Sequence, residues 1–153
     1  MALSRSLATR DGDESQIRSV LTDLTTAIRD KDAAGLIATL ADDAVTFDLA
    51  PPLRLDAKAS HDPAPLEQWF ATWEGPIRSE PRDLTIAAGA DVAYAYALQH
   101  MTGTKKGGEE VDLWFRATAC FRRESGRWRI THLHNSVPFA MDGSGRALLD
   151  LKP

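Results

Sequence analysis

Midway along this chain the apolar residues change from a helical to a strand period, and that change restricts the fold more than any single motif. Before it, Ile17, Val20, Leu21, Leu24 and Ile28 fall at i, i+3, i+4, i+7 and i+11, one face of a helix running from about Asp13 to Asp30. Asp32 is placed to cap a second, short helix carrying Leu36, Ile37 and Leu40 on its inner side. Ala44–Leu49 reads as a short strand, stopped by Pro51-Pro52, which a central ladder cannot hold. Asp62-Pro63 is a cap followed by proline at the first helical position. The helix it opens carries Leu66, Trp69, Phe70 and Trp73 on one face and is expected to stop at Gly75-Pro76.

Beyond that point the period is two. Leu84 and Ile86 alternate in one strand, Val92 to about Gly103 forms the next, and Lys106-Gly107-Gly108 supplies a turn. Glu109–Arg123 is a long strand, and Glu124-Ser125-Gly126 turns it into a histidine-bearing one. Helices first and an antiparallel meander afterwards predict an α+β fold, a curved sheet wrapped round N-terminal helices to leave a cone-shaped cavity. At 153 residues, with no repeat and no linker, the chain fits one domain. We expect a leader over residues 1–12, the domain over 13–140 and a tail over 141–153.

Eighteen basic against 22 acidic residues give a net charge of −4, which argues against a nucleic-acid or membrane-surface partner. No apolar run approaches the ~18 residues of a membrane span. The polar N-terminus lacks the apolar core of a secretory signal. Cys120 is the sole cysteine, so no internal disulfide forms, and a reducing cytoplasm is the expected compartment. In a strand, that thiol reads as buried and inert.

The segment Trp128-Arg129-Ile130-Thr131-His132-Leu133-His134-Asn135-Ser136 holds the polar interest. Strict alternation puts Trp128, Ile130, His132, His134 and Ser136 on one face, an apolar base rising to two imidazoles and a hydroxyl. The preceding strand has an apolar face (Val111, Leu113, Phe115, Ala117, Ala119, Phe121) and a mixed one (Asp112, Trp114, Arg116, Thr118, Cys120). A three-residue turn sets Arg123 against Arg127, and then Thr118 against His132, Arg116 against His134 and Trp114 against Ser136. A two-residue turn would slip every side chain to the other face. The longer turn gathers the polar groups inside the cavity. It leaves the aliphatic face to pack on another layer or to meet a second subunit.

Arg116, in a partly dry cavity, needs either a resident acid (Asp112 or Asp48) or the anionic part of a ligand. A purely structural network of Asp112, Arg116 and His134 is the bland alternative. Trp69, Trp73 and Trp114 are candidate flat walls, and His100 lies on the fourth strand with its direction open. His132-x-His134 plus an acid is too short and unspecific to predict a metal, and no phosphate loop, dinucleotide fingerprint or serine elbow is present. No cofactor is expected.

Asp32-Ala33-Ala34-Gly35-Leu36-Ile37-Ala38-Thr39-Leu40-Ala41-Asp42-Asp43-Ala44-Val45-Thr46-Phe47-Asp48 resembles the opening of ketosteroid isomerases. Gly126 to Phe139 is similar to SnoaL-like proteins and to the association domain of calmodulin-dependent kinase. All are members of the nuclear transport factor-like superfamily. The resemblance spans about Asp13 to Phe139 and implies a cone-shaped α+β barrel, a homodimer, and a small-molecule ligand at the open end. It also places Asp48 at the isomerases' proton-shuttling position, while their oxyanion tyrosine falls at Leu24, which cannot donate. The SnoaL-like cyclases and related dehydratases imply Asp–His acid–base pairs, roles open here to Asp48 and His134. The expectation is cofactor-independent isomerisation, cyclisation or dehydration of a small apolar or carboxylate-bearing molecule. Asp48 and His134 would be catalytic, and Arg116, His132, Trp114, Trp73, Trp69, Asp112 and His100 would bind the ligand. The alternative is a non-catalytic carboxylate-binding or dimerisation domain.

Overall fold

The structure, a computed structural model, describes the backbone from residue 2 and the side chains from residue 11 to the C-terminus. Helix α1 spans Ala2–Asp30, so the leader expected over residues 1–12 lies almost wholly outside the side chains described. The next elements are α2 (Ala33–Ile37), β1 (Leu40–Phe47), α3 (Ala57–Ser60) and α4 (Pro63–Phe70). Four strands complete the chain: β2 (Trp73–Ala88), β3 (Val92–Lys105), β4 (Glu110–Glu124) and β5 (Arg127–Ser136). Both caps form as the sequence suggests. Asp32 accepts the Gly35 amide, and Asp62 accepts the Ala64 amide with proline inside the first turn. Helix α4, however, ends at Phe70 rather than at Gly75-Pro76. Trp73 instead opens β2 opposite Lys105, its ring lying so close to Gly103 that a β-carbon there would meet it at 3.0 Å. Only glycine at that position admits the indole.

The fold is α+β, with the strands in order β1-β5-β4-β3-β2 in one curved, open sheet. Its antiparallel meander is as expected, but the sheet is mixed, because β1 runs parallel to β5. Strand β2 forms one edge. Its ladder shifts register between Glu74 and Arg78 and again between Arg82 and Thr85, close to Pro76 and Pro81.

The β4–β5 hairpin corrects the expected register. Its turn has two residues, Ser125 and Gly126, both at positive φ, so Glu124 faces Arg127 and Arg123 faces Trp128. Such a turn matches the natural twist of the strands better than a three-residue loop. One residue on, Thr131 bulges out of the ladder, since Phe121 pairs with Ile130 while Cys120 pairs with His132. Trp128 and Ile130 therefore lie on the opposite face from His132, His134 and Ser136, not on the same one. Past the bulge, Thr118 faces His134 and Arg116 faces Ser136.

The faces themselves are exchanged relative to expectation. Phe121, Ala119, Ala93, Ala95, Trp128 and Ile130 form one core with Ile17 of α1, with Val20, Leu21 and Leu24 packed on it. Of the aliphatic face of β4, Ala119 and Phe121 are thus covered by α1 and Val111 packs on the second core, while Leu113 and Ala117 stay half-buried. Burying Ile17 or Ile130 completely contributes about 1.5–3 kcal/mol each. The mixed face of β4 turns away from α1 and becomes the outer surface of the sheet. A second core joins Ala33, Phe70, Trp73 and Ile77 beneath α4.

Asp13 ties the first helix to the sheet. Its Oδ1 accepts from Arg123 Nη2 at 2.6 Å and from Trp128 Nε1 at 3.3 Å, and only 6% of Asp13 is exposed. After β5, Phe139 bridges to Ala147 in a small hairpin, and Lys152 then reaches back to Asp112 on β4.

Candidate functional site

Strand β1 stops at Phe47, and the chain leaves it through Asp48, Leu49 and the proline pair. At this corner a groove of roughly 640 Å³ is lined by Phe47 to Leu53 and by His134 to Val137. Asp48 and His134 both belong to its wall. They approach from different sides of β5. Phe47 pairs with His134 on the outer face, whereas Asp48 Oδ1 accepts from Asn135 Nδ2 at 3.3 Å and from the Leu49 amide at 2.7 Å. Asp48 Oδ2 has no protein donor among the described residues. Both Asp48 and His134 are exposed, at the rim of the sheet and not inside the cavity expected from sequence.

The two histidines of β5 are in different states. His132 lies 2.6 Å from the Val45 carbonyl oxygen through Nδ1. A carbonyl only accepts, so that nitrogen carries the proton and the ring is held against β1. His134 makes no hydrogen bond among the described residues and stands edge-on to Phe47, centroids 5.4 Å apart. Phe47 also meets His132 edge-on at 4.7 Å, so one phenyl ring spaces both imidazoles.

Arg116 is exposed and pairs with neither expected acid. Its Nε donates to Ser136 Oγ at 3.1 Å. Asp112 is engaged elsewhere, taking Lys152 Nζ at 2.6 Å on one oxygen and His100 Nε2 at 2.7 Å on the other. The Lys152 ammonium first, and His100 second, hold the Asp112 carboxyl below the usual carboxylate range. His100 stacks flat on Trp114, centroids 4.2 Å apart, and Arg82 lies over the same indole. This Asp112–His100–Trp114 cluster sits on the outer face, away from the groove lining. The network of Asp112, Arg116 and His134 considered from sequence does not form.

The structure does not bring Trp69 and Trp73 to the groove either. Trp73 is 1% exposed in the second core, with Lys105 Nζ 3.8 Å above its ring, and Trp69 packs edge-on against it. Burial pushes the Lys105 ammonium pKa down. Among the described residues no cluster of three metal-ligating side chains occurs. A second groove, roughly 690 Å³, lies between α1, α2 and the β4–β5 turn and contains none of the expected site residues.

Sequence reasoning missed Asn135 as a groove residue and set Ser136 on the histidine face without giving it a role. Strict alternation placed Asn135 away from the histidines, which is correct, but Asp48 comes round the strand end to meet it. The signal lay in the proline pair, which forces the chain to leave the sheet just after Asp48.

No helix of the described residues is long and apolar enough to cross a membrane. No curated protein matches the chain. Among solved structures it is similar to an NTF2-like protein of unknown function from Pseudomonas putida, at 34% identity and TM-score 0.81, covering 94% of this chain and 98% of that one. A "putative dehydratase from the NTF2-like family" from Streptomyces avermitilis aligns at 18% identity and TM-score 0.72, over 86% and 99% of the two chains. An NTF2-like protein with a cystatin-like fold from Novosphingobium aromaticivorans aligns at 18% identity and TM-score 0.70, over 93% and 90%. The last two likenesses show the fold alone. The SnoaL-like domain family matches residues 17–140, from the buried Ile17 midway along α1 to just past the groove, and the chain belongs to that family.

Proposed function

We propose that this protein is a small-molecule enzyme that moves protons without a cofactor, with Asp48 as base and His134 as acid or relay. The observation that carries the reading is that both residues line one groove whose remaining wall is largely apolar. Each also keeps uncommitted hydrogen-bonding capacity, Asp48 at Oδ2 and His134 at both ring nitrogens. Phe47, Leu49 and the proline pair give an exposed apolar surface on which a neutral organic molecule can lie, with Asp48 placed to take an acidic C–H proton. Isomerisation, cyclisation and dehydration share that first step, and the dehydratase name carried by a structural neighbour is consistent with the last. The test is a screen of small carbonyl compounds for proton exchange or water loss. Asp48→Asn should sharply reduce the activity found, and an asparagine variant with full turnover would overturn the reading.

One observation favours a second reading. Arg116 commits only Nε to the protein, and its terminal nitrogens have no acceptor among the described residues. A small carboxylate could take them bidentately, making the protein a binder rather than a catalyst. Titration with acetate and benzoate, with Arg116→Leu as control, separates the two.

We place the homodimer implied by the resemblance on the outer sheet face, away from the side on which α1 packs. Val92, Tyr94 and Tyr96 are exposed there, which supports that choice.

A further inference from the structure

The chain has four histidines, and the fold sets two of them side by side. His61 closes onto the Ala57 carbonyl through Nδ1 at 2.7 Å, and His100 is engaged by Asp112 and Trp114. His132 and His134 share the outer face of β5, with ring centres 6.2 Å apart and planes 59° to each other. The Nδ1–H of His132 is spent on the Val45 carbonyl at 2.6 Å, which fixes the tautomer and leaves Nε2 with a free lone pair. Metal-ligating histidines are held in this way, the second nitrogen donating to a carbonyl that orients the ring. His134 gives neither nitrogen to the protein among the described residues, and it is exposed, so its ring is free to turn. The separation decides whether one ion can reach both. A zinc-sized cation sits about 2.0–2.1 Å from an imidazole nitrogen, so two ligating rings have centres roughly 5 Å apart at a tetrahedral angle and about 6.5 Å apart at most. The observed 6.2 Å lies inside that limit, and a turn of His134 closes the remainder. Phe47 packs edge-on against both rings from the β1 side. On the β4 side Cys120 stands opposite His132, and exposed Thr118 stands opposite His134.

We propose that His132 Nε2 and His134 form a two-point site for a divalent cation of the imidazole-preferring class, zinc, nickel or copper. Neutral nitrogen donors favour these ions over magnesium and calcium, which want oxygen. No third ligating side chain completes the set among the described residues, so water or a small anion takes the remaining positions. With two protein ligands the ion exchanges readily, unlike one in a structural centre closed by four. The site stands independently of the proton chemistry proposed above, but the two compete for one residue. An ion on His134 occupies the nitrogen that would carry a proton, so a loaded site and a working relay exclude each other.

The experiment titrates the full chain, free of any polyhistidine tag, with zinc chloride and nickel chloride by calorimetry at neutral pH. NMR of the imidazole signals follows the zinc titration. One ion per chain should bind, shifting the signals of His132 and His134 while those of His61 and His100 stay in place. Excess magnesium chloride should displace nothing. His134→Ala, an exposed substitution, should weaken binding by at least roughly tenfold, the loss of the second point of a chelate, and His61→Ala should leave it unchanged. His132→Ala also removes the donor to Val45, so the part of His132 is read from its own ring signals in the wild type. No saturable binding, or wild-type affinity in His134→Ala, would overturn the proposal. So would loss of binding in Cys120→Ser, which would move the site onto the thiol opposite His132. None of these results concerns turnover, so the reading of Asp48 as base stands or falls separately.

Discussion

The Nδ1–H of His132 donates to the carbonyl oxygen of Val45 at 2.6 Å, whereas His134, two residues along the same strand, is left without a partner among the described residues. The pair predicts opposite mutant phenotypes. His132→Ala should cost about 1–3 kcal/mol of stability, because it leaves the Val45 carbonyl without its donor. His134→Ala should change stability by less than about 1 kcal/mol, in the range of surface substitutions, while slowing turnover. Chemical denaturation beside a rate measurement checks both.

Asp48→Asn should reduce turnover by roughly 10²–10⁴-fold, the usual effect of losing a positioned general base. His134→Ala should lose less, because water in an open groove can replace a proton donor. Single-turnover rates on a substrate found by the carbonyl screen decide the order.

Asp13 is a buried acid held by Arg123 and Trp128, so its removal strands a guanidinium at the helix–sheet junction. Asp13→Ala should destabilise the protein by about 3–5 kcal/mol, the range for breaking a buried ion pair from one side. Urea denaturation with a shifted midpoint and an unchanged slope would show it.

Deleting Thr131 removes the residue that lets β5 change faces. The histidines would then point toward α1, or Trp128 and Ile130 would point away from it. Either outcome should lose the native fold, read as failure of cooperative unfolding, while Thr131→Val keeps the bulge and should fold.

Acid should loosen the C-terminal tail. The Asp112 carboxyl is held down chiefly by Lys152 and then by His100. A depressed acid contributes at pH above its unfolded value, here 3.8, and the contribution is lost as pH falls through the lower folded value. Hydrogen exchange in residues 138–152 should therefore be slow at neutral pH and accelerate below that value, once corrected for intrinsic rates. Asp112→Asn should be loose at neutral pH already.

What the sequence disclosed, and what it hid, follows from the range of the forces involved. Asp32 and Asp62 cap helices through amides two or three residues away, so their roles are written locally. The period change is equally local, and with the family resemblance it discloses the α+β class. The β4–β5 register is not local. Ser125 at φ 49° permits the short turn, and the bulge at Thr131 then restores the parity that the turn had reversed. His132 and His134 consequently share a face with Arg116 and Thr118, as the sequence reading had it, but through two offsetting irregularities. That face is outside because Ala119 and Phe121 of β4 pack with Ile17 and its neighbours on α1. The meeting of Asp48 with Asn135 was hidden for a simpler reason, since it occurs where the strand has already ended.

The two register breaks in β2 also bear on how copies of this chain can meet. An open sheet invites further strands to add along its rim, the route by which folded proteins polymerise. Pro76 and Pro81 remove amide donors from that rim, and the breaks beside them keep the strand from lying flat. At the opposite rim Thr46 is already bridged to Leu55. Sideways growth is therefore hindered along β2 by the two prolines and, at the β1 rim, only where Leu55 bridges Thr46. Replacing Pro81 by valine would reopen a donor on a long β-strand, and the expected harm is fibrous aggregation rather than unfolding.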